Sequence, residues 1–237
     1  MKESIVRRLV EINSIFYETF AEPFAASRAT PPPGFIRLLE FIPPNKSLDI
    51  LDIGCGDGRF GRFLIDHGIT GGYTGIDFTQ AIMEQPETFP GRFVLRDLSM
   101  PGCLEGLGRF DLVVCLSTLQ HIPGQTTRER FVKDMAATLK PGGRIFLSNW
   151  QFLESPRQSR KIRAWSQVEV DPDNLEQGDY LLAWNRGGKG VRYVNMISEK
   201  ETEALAALAG LRIGTRFWSD GREGDLNLYT ILAVDTP

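Results

Sequence analysis

The chain has 237 residues, 42% hydrophobic and 24% charged, with a formal net charge of −3. That length suits one α/β domain with an element or two appended, and the small negative charge argues against a global basic field for nucleic acid, leaving room only for a local patch. Cys55, Cys103 and Cys115 form no CxxC and have no histidine at ligand spacing, which argues against zinc and suits a reducing compartment; without a signal peptide or an uncharged apolar run of about 18 residues, a cytoplasmic protein with no membrane span is expected.

Residues 3–21 carry Ile5, Leu9, Ile12, Phe16 and Phe20 three or four apart, one apolar helical stripe closed by Pro23. Phe24-Ala25-Ala26-Ser27-Arg28 follows, then the stiff break Thr30-Pro31-Pro32-Pro33-Gly34 and a short helix over 35–41 ended by Pro43-Pro44. Residues 1–45 therefore read as a helical cap. From Ser47 the pattern alternates. A strand at 48–53 leads to a helix at 59–67 with Gly68 as its C-cap, then a strand at 73–77, a short helix at 80–85 and a strand at 92–95. An apolar strand at 110–116 precedes a helix opened by a Thr126/Glu129 capping box and stopped by Pro141-Gly142-Gly143, and 144–148 is the fifth strand. Strands apolar on both faces belong to parallel sheets covered by helices. The fold class is α/β: a Rossmann-like, doubly wound, mostly parallel sheet of seven strands with an antiparallel last strand. The core spans 46–150. Residues 151–190 form an insertion with few periodic signals, and long loops are often functional. Within it Arg157, Arg160, Lys161 and Arg163 precede Glu169, Asp171, Asp173, Glu176 and Asp179, so the basic run reads either as a phosphate-tracking patch or as a solvated face. Residues 191–237 supply a strand at 192–197, a helix at 198–209 and a closing hairpin of 211–218 with 226–234. The whole is one domain.

The first strand ends in Asp52-x-Gly54-x-Gly56-x-Gly58. Alternate glycines after a buried strand build a tight turn that lets a ligand touch backbone at a helix start. Gly56, Gly58 and Gly61 also satisfy the dinucleotide pattern, but that register leaves Gly54 unexplained. An acid followed by alternate glycines suits the ammonium-bearing end of S-adenosylmethionine. Asp77 ends the second strand, where an acid meets ribose hydroxyls. Asp97 follows the third, and Leu139-Lys140-Pro141-Gly142-Gly143 precedes the fifth. In this order, across 47–149, these residues resemble the class I S-adenosylmethionine-dependent methyltransferases. The resemblance implies a cofactor site of Asp52, Gly54, Cys55, Gly56, Gly58, Asp77, Phe78, Asp97, Leu98 and Leu116, S-adenosylhomocysteine as product, and no metal.

Outside the core, Tyr17 through Arg28 with the proline-rich break is similar to the entry segment of the tRNA wobble-uridine carboxymethyl methyltransferases. Gln120-His121-Ile122, Gly178-Asp179-Tyr180-Leu181-Leu182-Ala183-Trp184 and Arg192-Tyr193 resemble that family's later segments. Ala183 stands where the family has proline, and Val194-Asn195 where it tends to have Tyr-His. The resemblance implies a tRNA acceptor, a carboxylate oriented by Arg28 or Arg192, and a small activator protein. An acceptor hydroxyl or amine would instead need a base, for which His121 is the natural choice. His121 also reads as a surface or helix-start histidine, His67 as a cap residue, and Phe16, Tyr17 and Phe20 as helix core. The competing functions are a small-molecule methyltransferase whose pocket the N-terminal helices and 151–190 enclose, a non-catalytic S-adenosylmethionine-binding module, and a nicotinamide oxidoreductase.

Overall fold

The computed structural model describes residues 1–42, 47–83 and 91–234. The Pro43-Pro44 stop and the end of the expected 80–85 helix lie outside the described residues; within them, Gln80–Ile82 is one 3-10 turn.

The cap consists of α1 (Glu3–Thr19), α2 (Ala21–Ala26) and α3 (Pro33–Leu38). Pro33 sits at the first position of α3, where its missing N–H costs nothing. The core runs β1 (Ile50–Ile53), α4 (Arg59–Asp66), β2 (Tyr73–Asp77), β3 (Arg92–Leu95), β4 (Phe110–Leu116), α5 (Gln125–Ala137) and β5 (Leu139–Trp150). Then come α6 (Pro156–Ser159), β6 (Ile162–Arg163), β7 (Asp179–Trp184), β8 (Gly190–Asn195), α7 (Glu199–Leu208), β9 (Leu211–Ser219) and β10 (Asn227–Val234).

The main sheet has the order β3-β2-β1-β4-β5-β10-β9. Its first five strands are parallel; β10, last in the chain, runs antiparallel to both of its neighbours, β5 and β9. The strand order reverses at β1 and β4, so a crevice opens past their carboxyl ends, where doubly wound sheets take ligands. One face of the sheet packs Leu51, Ile53, Val113 and Cys115 against Phe131, Val132 and Met135 of α5. The other packs Ile50, Leu112 and Phe146 against Phe60, Phe63 and Phe35. Gly68, at φ +74°, closes α4 in a Schellman arrangement: its N–H bonds Ile65 O, and Ile69 N–H bonds Leu64 O.

Three local expectations need correction. Gly124, not Thr126, caps α5, because the Gln125 N–H is taken by Glu176 Oε2 across the fold and Glu129 instead accepts from Gln125 Nε2. The helix ends at Ala137, and Pro141-Gly142-Gly143 lies inside β5. The 151–190 stretch, expected to hold few regular elements, carries two strands: β6 and β7 pair with β8 in a second, three-stranded antiparallel sheet. Two-residue β6 and the short turns around it carry no readable period. α1 lies on this small sheet, with Leu9 and Ile12 against Leu181 and Tyr193. Each such fully buried aliphatic contributes roughly 1.5–3 kcal/mol. Asn13 fixes the docking, its Oδ1 accepting from Tyr193 N at 2.8 Å. The acids of this region are partly consumed by structure. Asp179 Oδ1 accepts from Tyr193 Oη and Asn195 Nδ2, each at 2.8 Å, and Glu176 lies 3.6 Å from Arg128.

Candidate active site

A pocket of about 1160 Å³, its mouth included, opens at the switch point between α1, α2 and the ends of β1, β2 and β4. Its floor is the glycine corner. Gly54, at φ +69°, has no room for a side chain: a Cβ would lie 2.1 Å from Thr118 Oγ1. Gly56, at φ +54°, faces open space, so any side chain there would stand where a ligand comes. Gly58, also left-handed, caps α4 and does not line the pocket, contrary to expectation.

Two buried acids face this corner. Asp52 accepts from Tyr73 Oη at 2.6 Å, and burial raises its carboxyl to about 7 despite that bond. Asp77 accepts from Gly56 N at 3.0 Å and Thr79 N at 3.1 Å; burial lifts it as well. Each oxygen keeps lone pairs for a further donor. Asp97 stands exposed on the pocket's edge, its Oδ1 accepting from Ser99 N and Oγ at 2.9 and 2.7 Å. Cys55, Phe78, Leu98 and Leu116 complete this side. Cys55 is driven far above the usual thiol range by burial and by Asp52, which makes it an inert wall.

The opposite side is built from α1, α2, the turn after β4, and β8. Tyr17, Phe24 and Arg28 line it together with His121 and Asn13. His121 Nδ1 lies 3.0 Å from the Tyr193 carbonyl, which can only accept, so Nδ1 carries the proton. Burial first, then Arg192, lowers this histidine to about 3, so the ring is neutral and Nε2 is a bare lone pair. That lone pair is filled: Tyr17 Oη donates to it at 3.1 Å. Arg28 lies with its guanidinium 3.5 Å above Phe24, and burial lowers it to about 9. Its main-chain carbonyl is held by Arg59 Nη1 at 3.2 Å. Arg192 does not line the pocket itself. It lies just behind, its guanidinium 4.4 Å from the Trp150 ring, 5.2 Å from Phe16 and 6.0 Å from Phe24. Arg28 Nη1, Asn13 Nδ2, Arg192 Nε and Arg192 Nη1 are buried without a hydrogen-bond partner.

The structure thus gathers every expected site residue except Gly58 and Arg192 onto one pocket. It adds Asn13, Arg59, Phe60, Ser117 and Thr118. Ser117 carries a signal only in the backbone, a non-glycine φ of +54° held by Ser148 and by the Trp150 indole, whose Nε1 donates to Ser117 Oγ at 3.1 Å. His67 is the C-cap of α4, its Nδ1 2.7 Å from Phe63 O. Among the described residues no group of His, Cys, Asp and Glu could hold a metal ion, and no helix is long and apolar enough to cross a membrane.

Residues 51–145 match the family described as the methyltransferase domain. Over 109 residues the chain is 28% identical to a ubiquinone biosynthesis O-methyltransferase of Coxiella burnetii, a stretch covering 44% of each; the chain spans under half the length of that relative. Over 203 residues it is 27% identical to a protein of Encephalitozoon cuniculi named only as a candidate methyltransferase, covering 84% of this chain and 86% of the other. A methyltransferase of Methanosarcina mazei named as SAM-dependent superposes with a TM-score of 0.60 at 20% identity, over 84% of this chain and 96% of its own. The family match and the superposition fall on the same doubly wound core, and the chain shares its fold with the structure named as SAM-dependent.

Proposed function

We propose that this domain transfers the methyl group of S-adenosylmethionine to a carboxylate oxygen of its acceptor, without a general base. One observation carries the reading. On the pocket wall the buried side-chain atoms lacking a partner, Asn13 Nδ2 and Arg28 Nη1, are both donors, and Arg192 behind them adds two more. Unpartnered buried donors, three of these four on guanidinium groups, are costly until an anion arrives. The same side holds no free base, since His121 is neutral and its one lone pair is engaged by Tyr17.

The residues fit the cofactor. Asp52 and the backbone of 54–57 would meet its amino-acid end, Asp77 its ribose hydroxyls, and Asp97 with Leu98 its adenine. When bound, S-adenosylmethionine supplies a methyl carbon on a positively charged sulfur. An acceptor carboxylate held by Arg28 and Asn13 is already the nucleophile. Its oxygen forms the new C–O bond as the C–S bond breaks, and the electron pair goes to sulfur. A methyl ester and S-adenosylhomocysteine result, and no proton changes hands. The chain's own part is alignment and exclusion of water, with charge-assisted hydrogen bonds from Arg28. A small-molecule acceptor is supported by the kinship with ubiquinone biosynthesis O-methyltransferases.

A second reading, a carboxymethyl group on a tRNA wobble uridine with the small activator protein that the resemblance brings, has one observation in its favour. Lys161 is lowered by burial and by the nearby guanidiniums of Arg192, Arg157 and Arg186. Such a rim would suit phosphates outside the pocket. The deciding experiment is transfer of labelled methyl from S-adenosylmethionine into a small-molecule acid fraction and into total tRNA. Label released by mild alkali is the expected result in either pool. Label stable to alkali would overturn the carboxylate reading.

A further inference from the structure

We propose that Asn13 determines the class of acceptor: its amide, locked with the donor end left for the pocket, admits a carboxylate and turns away an amine. The inference rests on the carboxylate reading above and narrows it.

The lock follows from donors and acceptors. The Tyr193 backbone N–H can only donate, so the Asn13 atom that meets it at 2.8 Å is the oxygen. Turning the amide over would set its NH2 against that N–H and leave both unpaired. Nδ2 is therefore the polar end left over, and it is buried without a partner. Asn13 itself is only 2% exposed, yet it lines the pocket. Its two supports are firm. On α1, Leu9 and Ile12 pack against Leu181 and Tyr193 of the small sheet. On β8, the Tyr193 carbonyl accepts from His121 Nδ1 at 3.0 Å, and the Tyr193 hydroxyl donates to Asp179 Oδ1 at 2.8 Å. The amide cannot swing without parting α1 from β8.

A wall that donates and does not accept chooses its ligand by lone pairs. Asn13 Nδ2 and Arg28 Nη1 both ask for one. A carboxylate brings two oxygens, so one can accept from Asn13 while the other attacks the methyl carbon. A neutral amine brings one lone pair. Spent on Asn13 Nδ2, that pair cannot also form the new C–N bond, and the amine's own N–H groups would face donors. A protonated amine has no lone pair at all and meets the positive guanidinium of Arg28. The selection is negative as well as positive: the amide repels the wrong acceptor with the same atom that holds the right one.

The test measures binding of phenylacetate, neutral phenylacetamide and cationic benzylamine to the full chain loaded with S-adenosylhomocysteine, read by calorimetry. Tyr17 and Phe24, edge-on at 5.0 Å, give each probe's ring an aromatic wall. The wild-type protein is expected to prefer phenylacetate to phenylacetamide by about tenfold or more; a ratio near one sinks the carboxylate reading, and this inference with it. Given that preference, Asn13→Asp keeps an oxygen for the Tyr193 N–H and exchanges the pocket's donor for an acceptor. It is expected to weaken phenylacetate about tenfold and to strengthen benzylamine about tenfold, the usual worth of a hydrogen bond to a charged group. Damage to the fold could lower every affinity but could not raise one. Unchanged affinities, or a loss of phenylacetate with no gain of benzylamine, overturn the role of Asn13 and leave the carboxylate reading standing on Arg28. Where Asn13→Asp does not fold, Asn13→Ala serves. It is expected to lower the ratio of phenylacetate to phenylacetamide affinity by about fivefold, because a hydrogen bond to a charged group outweighs one to a neutral group; an unchanged ratio overturns the role equally.

Discussion

The two halves of the pocket are built on opposite plans. The cofactor half is acidic and satisfied: Asp52 and Asp77 are buried yet accept hydrogen bonds from Tyr73, Gly56 and Thr79. The acceptor half is basic and unsatisfied, with guanidinium and amide donors that have no partner. The first half is rigid because one short segment makes most of it. The second is assembled from α1, α2, the turn after β4, and β8, and owes its shape to long-range packing such as Asn13 on Tyr193. The lesson is that a completed hydrogen-bond set marks where the fold serves itself, and an incomplete buried set marks where it waits for something else.

The largest effect is expected from breaking the satisfied half. Gly54→Val forces a branched side chain into φ +69° and against Thr118. The backbone strain alone costs roughly 1–2 kcal/mol, and the collision adds to it. Binding of S-adenosylmethionine, followed by calorimetry, should fall by more than a hundredfold, with a lower Tm. Arg192→Met probes the unsatisfied half and should split the two properties. Removing a buried charge without a counter-ion should raise stability by about 1–2 kcal/mol, while kcat/KM for the acceptor falls on the order of a hundredfold and cofactor affinity holds. A loss of stability together with unchanged turnover would show that the guanidinium is structural.

The halves should also answer pH differently. Asp52 lies at about 7 in the folded chain because burial disfavours its ionised form. Its contribution to folding stability is fully present below the ordinary carboxylate range and is lost as pH rises through about 7. A cofactor ammonium needs the ionised form, so affinity should climb by up to about tenfold per pH unit below 7 and level off above it, with a proton released on binding at pH 6. The acceptor half should be silent across that range. With His121 held at about 3, saturating turnover should show no limb near 6.5. A clear histidine limb in kcat would restore His121 as a base.

How much of this was legible in the residues follows the same division. Asp52, Gly54 and Gly56 could be read because a strand, a turn and a helix start are local and their chemistry is carried by residue type. Asp77 and Asp97 followed from strand ends, and Leu116 from the family likeness. Arg28 was reached through family likeness and His121 also through its chemistry as a base, and their partners were beyond any local pattern: nothing near Tyr17 in the sequence tells that it meets His121, more than a hundred residues away. The aromatic residues of α1 obeyed the helical period of a core stripe, and that period cannot say that one hydroxyl on the stripe faces a pocket. The second sheet was missed for a related reason. β6 is two residues long, and its identity comes from pairing with Leu181 and Leu182 rather than from its own composition.

The smallest expected effect concerns the rim, and it decides how large the acceptor is. Lys161 gathers Arg157 and Arg186 around it, yet these lie outside the pocket wall. If the acceptor is a small acid wholly inside the pocket, charge reversal at Arg186, an exposed loop residue, should change its kcat/KM by less than about twofold, since an exposed charge several side chains away is screened within about 8–10 Å at physiological salt. If the carboxylate is carried on tRNA, the same Arg186→Glu variant should weaken tRNA binding several-fold at low salt and reduce the slope of log affinity against log salt by about one. Each contact to a phosphate releases its own counter-ion, so that slope counts contacts directly. The measurement is a filter-binding titration of tRNA at several salt concentrations, wild type beside variant. Parallel lines of equal slope would confine the acceptor's anionic contacts to Arg28, Asn13 and Arg192.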